Sequence, residues 1–511
     1  MAGMSVTAVP AARADDYNDL LDLLRAKGSL TQSEYSMLHS RHVKHVREAE
    51  RADDAARRGH SVRYQYVPRA PDTVDMEAEA SAVRAEVAAR SAEASMRSAE
   101  AEMRSASIVR VAKYVPGKGL TFHAGAIDIN LSGFVNGFYS YNSPGRGAAV
   151  AGGISSGSSG FDNSGVRNGL LPAALITKIS TTQEGVDMQV VFGMYPGLNN
   201  NKPGAFNANT GGSSVGLGTP GIDFRQVYFT AGNEKYGTFK IGRDIALFGS
   251  DAILNDMTLL GVGSPGTVTD PGNTSFGRIG FGYVYADWIP QISYTSPKFA
   301  GLQGSVGIFQ PLDQYNYAGG GLSATSTNHN SPMVQAKATY DFKAGDFKGH
   351  IWTGLFIQNS GPLSSARLGE NSKTSRMAEA GEVGAKLDWR DFQAVAYYYY
   401  GSGLGTTGLL FDGIADNGRK RNSEGYYLQL SYTIMKKLRL AGSYGQSNLY
   451  QAPGENTPSL VRRNESEVGA LYYSVNDWLT LATEFAHSES AAHRPGRATD
   501  NTVSAGAMIF F

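Results

Sequence analysis

Two short motifs in this chain contain residue types that can do chemistry. Residues 153–157, GISSG, fit the G-x-S-x-G pattern of a serine nucleophile, and residues 261–266, GVGSPG, fit the G-x-G-x-x-G pattern of a phosphate-binding loop. The first lies in a stretch rich in glycine and serine, and Pro265 interrupts the second. Because neither stands between a strand and a helix pattern, we expect no enzyme activity and no bound cofactor.

A histidine triplet is the only candidate metal site in the sequence. His39, His42 and His45 are three residues apart on a predicted helix, so they share one broad face. A metal site would need tighter convergence and supporting hydrogen-bond partners, so a solvated polar face is the favoured interpretation. The chain has no cysteine, which excludes thiolate sites and disulfides, and its 46 basic residues balance 46 acidic ones. Bulk charge therefore gives no reason to expect nucleic acid as a partner.

A long acidic stretch, residues 244–280, carries the next group of charged residues. It contains Asp244, Asp251, Asp256 and Asp270 around an apolar run at residues 257–262, MTLLGV. Loops of this length without regular structure are usually functional. An apolar loop is poorly suited to lie in water, so the stretch is expected to fold into an interior where it can pack.

The elements that would position this loop are predicted to be strands of a transmembrane β-barrel. The last residues alternate, with Val503, Ala505, Ala507, Ile509 and Phe511 on one face of a strand. Sixteen strand-like segments lie between residues 128 and 511, and short turns alternate strictly with long loops between them. This is the layout of an outer-membrane barrel, in which the last strand, 500–511, closes on the first, 128–141. The competing fold, a large soluble all-β protein, would not need this asymmetry of turns.

The first part of the chain is predicted to be helical. Residues 1–14 are interpreted as the remnant of a signal peptide, with a soluble tail as the alternative. Residues 15–116 are interpreted as a helical hairpin and a weak coiled coil, with an isolated solvated helix as the alternative. An even strand number places both ends of the barrel, residues 117–511, on the periplasmic side. The helical extension is then expected in the periplasm.

Residues 222–244, IDFRQVYFTAGNEKYGTFKIGRD, resemble a stretch of the Gram-negative general porins that leads into an inward-folded third loop. The final residues, TVSAGAMIFF, are similar to the closing strand of that family. The helical front, with Gly28-Ser29-Leu30-Thr31 and Glu34-Tyr35, is similar to the extensions of some substrate-selective trimeric porins. The resemblance implies a homotrimer in outer-membrane lipid.

The resemblance also implies a pore constriction in which acids of the third loop face basic residues of the wall. Carried over position by position, the implied basic residues are Arg243, Arg225, Arg278 and Lys178, and the implied loop acids are Asp251 and Asp256. Such facing charges would orient water and dipolar solutes. Ordinary ion pairs that hold the loop to the wall are the alternative role for each residue.

Two functions are therefore expected from the sequence. The first is a porin that passes small hydrophilic solutes and ions by passive diffusion. The alternative is a structural tether, in which the N-terminal helices bind peptidoglycan and the barrel serves as an anchor. The solute and the preference for anions or cations are not readable from the residues.

Overall fold

The structure is a computed structural model that describes residues 93, 95–97, 109–112, 114, 115, 117–145, 147–155, 162–198, 222–265, 274–369 and 372–511. The chain divides into two compact units, Met1–Arg97 and Ser98–Phe511. In the first unit the described residues are helical, and Arg97 donates to Glu93 at 2.7 Å. The predicted signal remnant, the helical hairpin, the three histidines and most of the coiled coil lie outside the described residues.

The second unit is built from strands joined by short turns and long loops. The strands are β1 Arg110–Val111, β2 Leu120–Ala124, β3 Ile127–Gly145, β4 Asn163–Arg167, β5 Ala174–Gln183, β6 Val186–Pro196, β7 Ile222–Asn233, β8 Gly237–Ile245, β9 Trp288–Thr295, β10 Leu302–Phe309, β11 Thr325–Ser326, β12 Met333–Ala344, β13 Phe347–Ser360, β14 Leu363–Ser364, β15 Arg376–Trp389, β16 Phe392–Ser402, β17 Asn422–Ile434, β18 Leu438–Leu449, β19 Val461–Ser474, β20 Leu479–Ala492 and β21 Arg497–Phe510. Two short helices, α1 Ser250–Leu254 and the 3-10 helix Met257–Leu260, lie between β8 and β9. No helix among the described residues is long and apolar enough to cross a membrane.

Sixteen of these strands form a closed antiparallel barrel, as the sequence predicts. β21 pairs with β3 from Thr499 opposite Gly145 to Phe510 opposite Phe134. Phe511 and Gly133 then exchange two backbone hydrogen bonds of 3.0 and 3.1 Å. Because the last strand pairs with the first, no barrel strand leaves an unpaired edge. β1 and β2 form a hairpin whose second strand pairs with the start of β3. β1 lies within residues 15–116, where the sequence predicts helix, so the end of that segment is strand instead.

Side chains alternate between an exposed apolar outer face and a buried inner face. On β17, Leu428 and Leu430 are exposed, whereas Gln429 between them is buried. The tyrosine run at 397–400 follows the same rule: Tyr398 and Tyr400 lie outside, and Tyr397 and Tyr399 lie inside. Only half of this run can therefore belong to an aromatic girdle at the membrane interface.

Short turns and long loops alternate around the barrel. The turns at one end, called here the short-turn end, span 184–185, 234–236, 296–301, 345–346, 390–391, 435–437 and 475–478. Glu184 and Gly185 show why such turns can be tight, since both adopt positive φ angles, 51° and 76°. The opposite end is called the long-loop end. Its last loop, 493–496, is shorter than predicted because β20 and β21 extend beyond the expected segments.

Candidate pore constriction

The segment between β8 and β9, residues 246–287, is called here loop three, and its described residues, 246–265 and 274–287, lie inside the barrel. The sequence predicts a strand from residue 281, but β9 begins only at Trp288. Residues such as Phe281 and Val284 are fully buried and continue the loop.

Met257 and Val262 of the predicted apolar run are buried inside as well. Earlier in the loop, the rings of Phe248 and Phe356 of β13 meet at a tilt with centres 5.9 Å apart. These contacts supply the packing surface that the apolar composition of the loop requires.

Four inward-facing side chains of the wall accept hydrogen bonds from the backbone of loop three. We call Gln335, Glu382, Gln429 and Glu484 the clasp residues; they lie on β12, β15, β17 and β20, and all are buried. Gln335 accepts from the backbone N–H groups of Leu247 and Phe248 at 2.9 and 2.8 Å, and Glu382 accepts from that of Gly249 at 2.9 Å. Gln429 accepts from the N–H of Met257 at 2.7 Å. Glu484 accepts from those of Val262 and Gly263 at 2.6 and 2.9 Å. A buried irregular loop has backbone N–H groups without partners, and long polar side chains of the wall supply acceptors. Sequence reasoning missed these residues, although each one interrupts a strand face with a long polar side chain.

The two predicted loop acids have different environments. Asp251, in α1, accepts from Lys337 Nζ at 2.7 Å and lies 3.2 Å from His350 Nε2. Asp256 caps the 3-10 helix by accepting from the backbone N–H and the hydroxyl of Thr258, and it also accepts from Tyr283 at 2.9 Å. Asp256 is almost fully buried, and all its observed partners lie inside loop three. It therefore stabilises the fold of the loop and does not line the pore.

Arg278 is fully buried and joins loop three to β18 and β19. Its guanidinium donates to the carbonyl oxygens of Ser466 and Ser443 at 3.1 and 3.0 Å and to the Ser466 hydroxyl at 3.0 Å. Burial lowers the pKa of this group from its ordinary value, and Asp256 and Glu484 act in the opposite direction. The prediction that Arg278 faces the pore is therefore wrong, and the residue anchors the loop by hydrogen bonds to the wall.

Arg225 and Arg243 lie on opposite faces of the wall. The ladder between β6 and β7 shifts register between Gly193 and Tyr195, and this bulge turns Phe224 outward and Arg225 inward. Arg225 is buried there and pairs with Asp223 at 2.7 Å. The ladders of β8 pass Gly242 without a shift, so Arg243 stays on the outward face.

The placement of Arg243 corrects the sequence prediction. Its register neighbours are Val227 and Pro290, and its guanidinium donates to the Trp288 carbonyl oxygen on the same side of the wall. Arg243 is exposed, and of the loop-three acids Asp287 feels its positive charge, which acts to lower the pKa of that carboxyl. The bulge that changes the facing of wall residues lies in β6–β7, and the β8 ladders show none at Gly242.

The inner face of β5 to β8 carries the remaining polar groups. Lys178 lies half-buried on the inward alternation of β5. Lys240 forms an ion pair with Asp244, which also accepts from Gln226 at 3.1 Å. This pair was not predicted, although the i, i+4 spacing is visible in the sequence. In a strand, residues i and i+4 lie on the same face, so the side chains of Lys240 and Asp244 both point into the barrel.

Residues before β9 add a buried carboxyl group. Burial raises the pKa of Asp287 to about 7, and the Trp288 backbone N–H, which donates to it at 2.6 Å, acts in the opposite direction. Asp270 lies outside the described residues. The serine of the GISSG motif donates to Asp500 at 2.5 Å and joins a loop to β21.

A second loop, residues 403–421 between β16 and β17, also folds inward at the long-loop end. Nearly all of its residues from Leu404 to Ala415 are buried. The carbonyl of Thr407 accepts from Tyr285 of loop three at 3.0 Å. Arg421 and Glu455, whose side chains are both fully buried, form an ion pair at 2.6 Å that ties this loop to the next. Sequence reasoning missed this loop, although its apolar run at 409–411, LLF, resembles that of loop three.

Comparisons with known proteins decide the family. The profile described as Gram-negative porin matches residues 85–493. The chain belongs to the Gram-negative porin family. Among solved structures, it is similar to the outer-membrane channel DcaP of Acinetobacter baumannii, at 16% identity, with a TM-score of 0.55, over 76% of this chain and 98% of that one.

A second similar structure is an anion-selective porin from Comamonas acidovorans, at 12% identity and a TM-score of 0.49, over 75% of this chain and all of that one. A comparison with curated protein sequences gave no match. The porin is thus an outer-membrane diffusion channel, and the family is one of channels rather than enzymes. The tether alternative gains no support from the family or the fold.

None of the four clasp residues lies on β5 to β8, so these side chains do not hold loop three to that side of the porin lumen. At the short-turn end, a cavity of about 900 Å³ is lined by inward hydroxyl and amide groups, among them Ser180, Gln189, Thr230 and Thr238. On the loop itself Leu254 is 54% exposed, although it follows the buried Ile253 in α1. Polar walls and an exposed loop edge can pass hydrated solutes, whereas the clasp side is packed.

Proposed function

We propose that small hydrophilic solutes and ions cross this porin between loop three and the inner face of β5–β8. The observation that carries the proposal is the position of the clasp residues, all of which lie on β12 to β20. Because they hold the loop against that half of the wall, the passage is left on the other half. The polar cavity at the short-turn end lies on the same half of the wall, because residues of β5 to β8 line it.

The proposed constriction keeps Lys178 and Arg225 of the residues implied by the family resemblance and adds the ion pair Lys240–Asp244, all on the β5–β8 wall. Fixed charges along a narrow passage set a local field that orients dipolar solutes. Arg243 is not part of this proposal because it faces outward. Asp251, Asp256 and Arg278 are not part of it because their observed partners lie within loop three or on the opposite wall, β12 to β19.

Single engineered cysteines test the passage directly, since the chain has none of its own. Lys178→Cys and Lys240→Cys channels in planar bilayers should change conductance when a charged methanethiosulfonate reagent is added. The matched control, Arg243→Cys, places the thiol on the outward face and should leave conductance unchanged. A response of the control alone would contradict the proposed passage, and wild-type protein that forms no channels would contradict the function itself.

We propose that three copies assemble in outer-membrane lipid, as the family resemblance implies. The outward face supports lipid contact, because large apolar side chains such as Leu355, Leu430 and Phe485 are exposed there. Light scattering of the detergent-solubilised protein should give three times the chain mass of 54.5 kDa after correction for detergent. The periplasmic helical extension, its coiled coil and its contact with peptidoglycan stay predictions.

A further inference from the structure

We propose that the loop between β10 and β12 forms a fixed crossbeam over the pore mouth at the long-loop end, held by Asp412, and that it limits the size of solutes entering from that end. The crossbeam is the segment 315–324 of this loop. The inference rests on the proposed function, because a size limit exists only where solutes pass. It deepens that function by adding a limit that acts apart from loop three.

The crossbeam reaches from one side of the barrel to the other. Its loop leaves the wall at β10 and returns to it at β12. Ala318 and Leu322 nevertheless pack against a buried cluster where β18 ends and β19 begins, formed by Leu449, Leu460 and Val461. In the wall, β13, β15, β16 and β17 stand between β12 and β18. The crossbeam therefore spans the mouth and does not follow its rim.

The segment that follows β3 meets the crossbeam on this far side. Val150 packs against the same cluster as Ala318. A Cβ atom added at Gly152 would lie 3.3 Å from the Cβ of Ala318 and 3.2 Å from a carboxylate oxygen of Asp412. Gly152 also has a positive φ angle of 77°, which favours glycine. The far end of the crossbeam is thus held between two further loops of the long-loop end.

The inward β16–β17 loop fills the space between the crossbeam and the wall. The backbone N–H of Tyr315 donates to the Leu410 carbonyl at 3.1 Å, and that of Ala324 donates to the Ile414 carbonyl at 2.9 Å. On its other side, Leu410 belongs to a buried cluster with Tyr397 from the inner face of β16. Wall, inward loop and crossbeam therefore form three layers. They fill the same half of the barrel to which the clasp residues hold loop three.

The tip of the crossbeam projects into open space. Gly319, Gly320 and Gly321 have positive φ angles of 72°, 59° and 70°, and a Cβ atom at any of them would meet nothing within 4 Å. The chain thus turns sharply at a point that no other described segment covers. Solutes that enter from the long-loop end must pass this tip, since the layers behind it are packed.

Asp412 of the inward loop is the positioning residue that holds both sides of this tip. Its carboxylate accepts from the Ala318 backbone N–H at 3.0 and 3.2 Å, before the tip, and from the Ser323 hydroxyl at 2.6 Å, after it. Arg421 supports the same point by donating to the Ser323 hydroxyl at 2.7 Å and to the Leu322 carbonyl at 2.8 Å. Without the carboxylate, the Ala318 N–H loses its acceptor and the tip is held less firmly.

Neutral polyethylene glycols in planar bilayers test the size limit, because polymers small enough to enter a pore lower its conductance. Each wild-type channel should exclude polymers above a smaller size from one side than from the other, since the crossbeam lies at one mouth only. In Asp412→Ala the smaller limit should rise toward the larger one. The matched control is Asp416→Ala in the same loop, where the described contact is that of the backbone oxygen with Ser365. It should keep both wild-type limits.

A disulfide separates the hold on the crossbeam from any other effect of Asp412. Ser323 and Ala415 face each other in an antiparallel bridge, so two cysteines there are close enough to join. The chain has no cysteine of its own. In Asp412→Ala with Ser323→Cys and Ala415→Cys, oxidation should restore the smaller limit, and reduction should raise it again.

The outcomes separate this inference from the proposed function. Equal limits from both sides in conducting wild-type channels would overturn the crossbeam as a size limit, whether or not Asp412→Ala folds, and would leave the passage itself in place. Unchanged limits in Asp412→Ala, or a raised limit that oxidation of the cysteine pair does not lower, would overturn the role of Asp412. Wild-type protein that forms no channels would instead contradict the proposed function.

Discussion

At the scale of single residues, Arg278 lies where loop three meets β18 and β19. Its guanidinium makes three hydrogen bonds to Ser466 and Ser443, and removing it leaves their buried acceptors without these partners. Hydrogen bonds to charged groups contribute about 1.5–3 kcal/mol each, so Arg278→Met should lower the free energy of unfolding by several kcal/mol. Urea unfolding in detergent measures this loss.

The control for Arg278 is Arg243→Met, which removes an exposed arginine with one backbone contact. We expect a much smaller loss of stability from this variant, because exposed groups are already solvated. Equal losses in both variants would contradict the anchoring role. If Arg278→Met changed the conductance without lowering the stability, Arg278 would instead face the pore.

The same residues show how far sequence reasoning reaches at this scale. The resemblance to general porins pointed to arginines at 225, 243 and 278, but it did not give their faces. A one-residue bulge in β6–β7 turns Arg225 inward, and nothing in the residue types marks where a ladder shifts. The role of Arg278 depends on Ser443 and Ser466, which lie far along the chain and which local patterns do not contain. Asp256 combines a local cap on Thr258 with a distant contact to Tyr283.

At the scale of elements, the clasp residues determine where loop three lies. Gln429 both accepts from Met257 and donates to the Asn255 carbonyl, and Glu484 accepts from Val262, Gly263 and Tyr472. An unsatisfied buried donor costs about 1–3 kcal/mol, so Gln429→Leu with Glu484→Leu should release part of the loop. Single-channel recordings should show altered conductance with more current noise.

A matched control for the clasp variants is Gln393→Leu. Gln393 is a polar residue of β16 whose amide donates to Asp388, and it makes no described contact with loop three. Its channels should keep the noise level of wild type. Equal noise in the clasp variants and the control would contradict the idea that these side chains position the loop.

Elements with strong alternation were predictable, and buried irregular ones were not. The barrel strands follow a period of two, so their number, order and closure could be read from apolar and polar positions. The length and the apolar run of loop three indicate an inward loop, but the sequence predicts a strand at residues 281–287, where the structure continues the loop. A buried strand and a buried irregular loop both consist of apolar residues, so the period of the sequence cannot distinguish them. The inward β16–β17 loop was missed for the same reason.

At the scale of the whole molecule, closure between β21 and β3 holds the first and last parts of the barrel together. Gly133 lies at the end of this seam, where a Cβ atom would meet the Ala174 carbonyl oxygen at 2.3 Å and the Phe511 ring at 2.7 Å. Phe511 in turn packs against Trp478, with ring centres 6.5 Å apart, and Trp478 against Tyr114 at 5.6 Å. At the short-turn end, these aromatic contacts join the seam to the β19–β20 turn and to Tyr114, before β2.

Gly133→Ala should therefore weaken closure. The backbone oxygen of Ala174 cannot move without disturbing the β3–β5 ladder, and overpacking of this kind costs about 1–3 kcal/mol. Gly469→Ala is the matched control, because a Cβ there meets nothing within 4 Å. On unheated gels, the folded band of Gly133→Ala should convert to the unfolded position at a lower temperature than wild type, while Gly469→Ala should not differ. The same conversion temperature for both glycine variants would mean that the first and last strands do not limit the stability of the barrel.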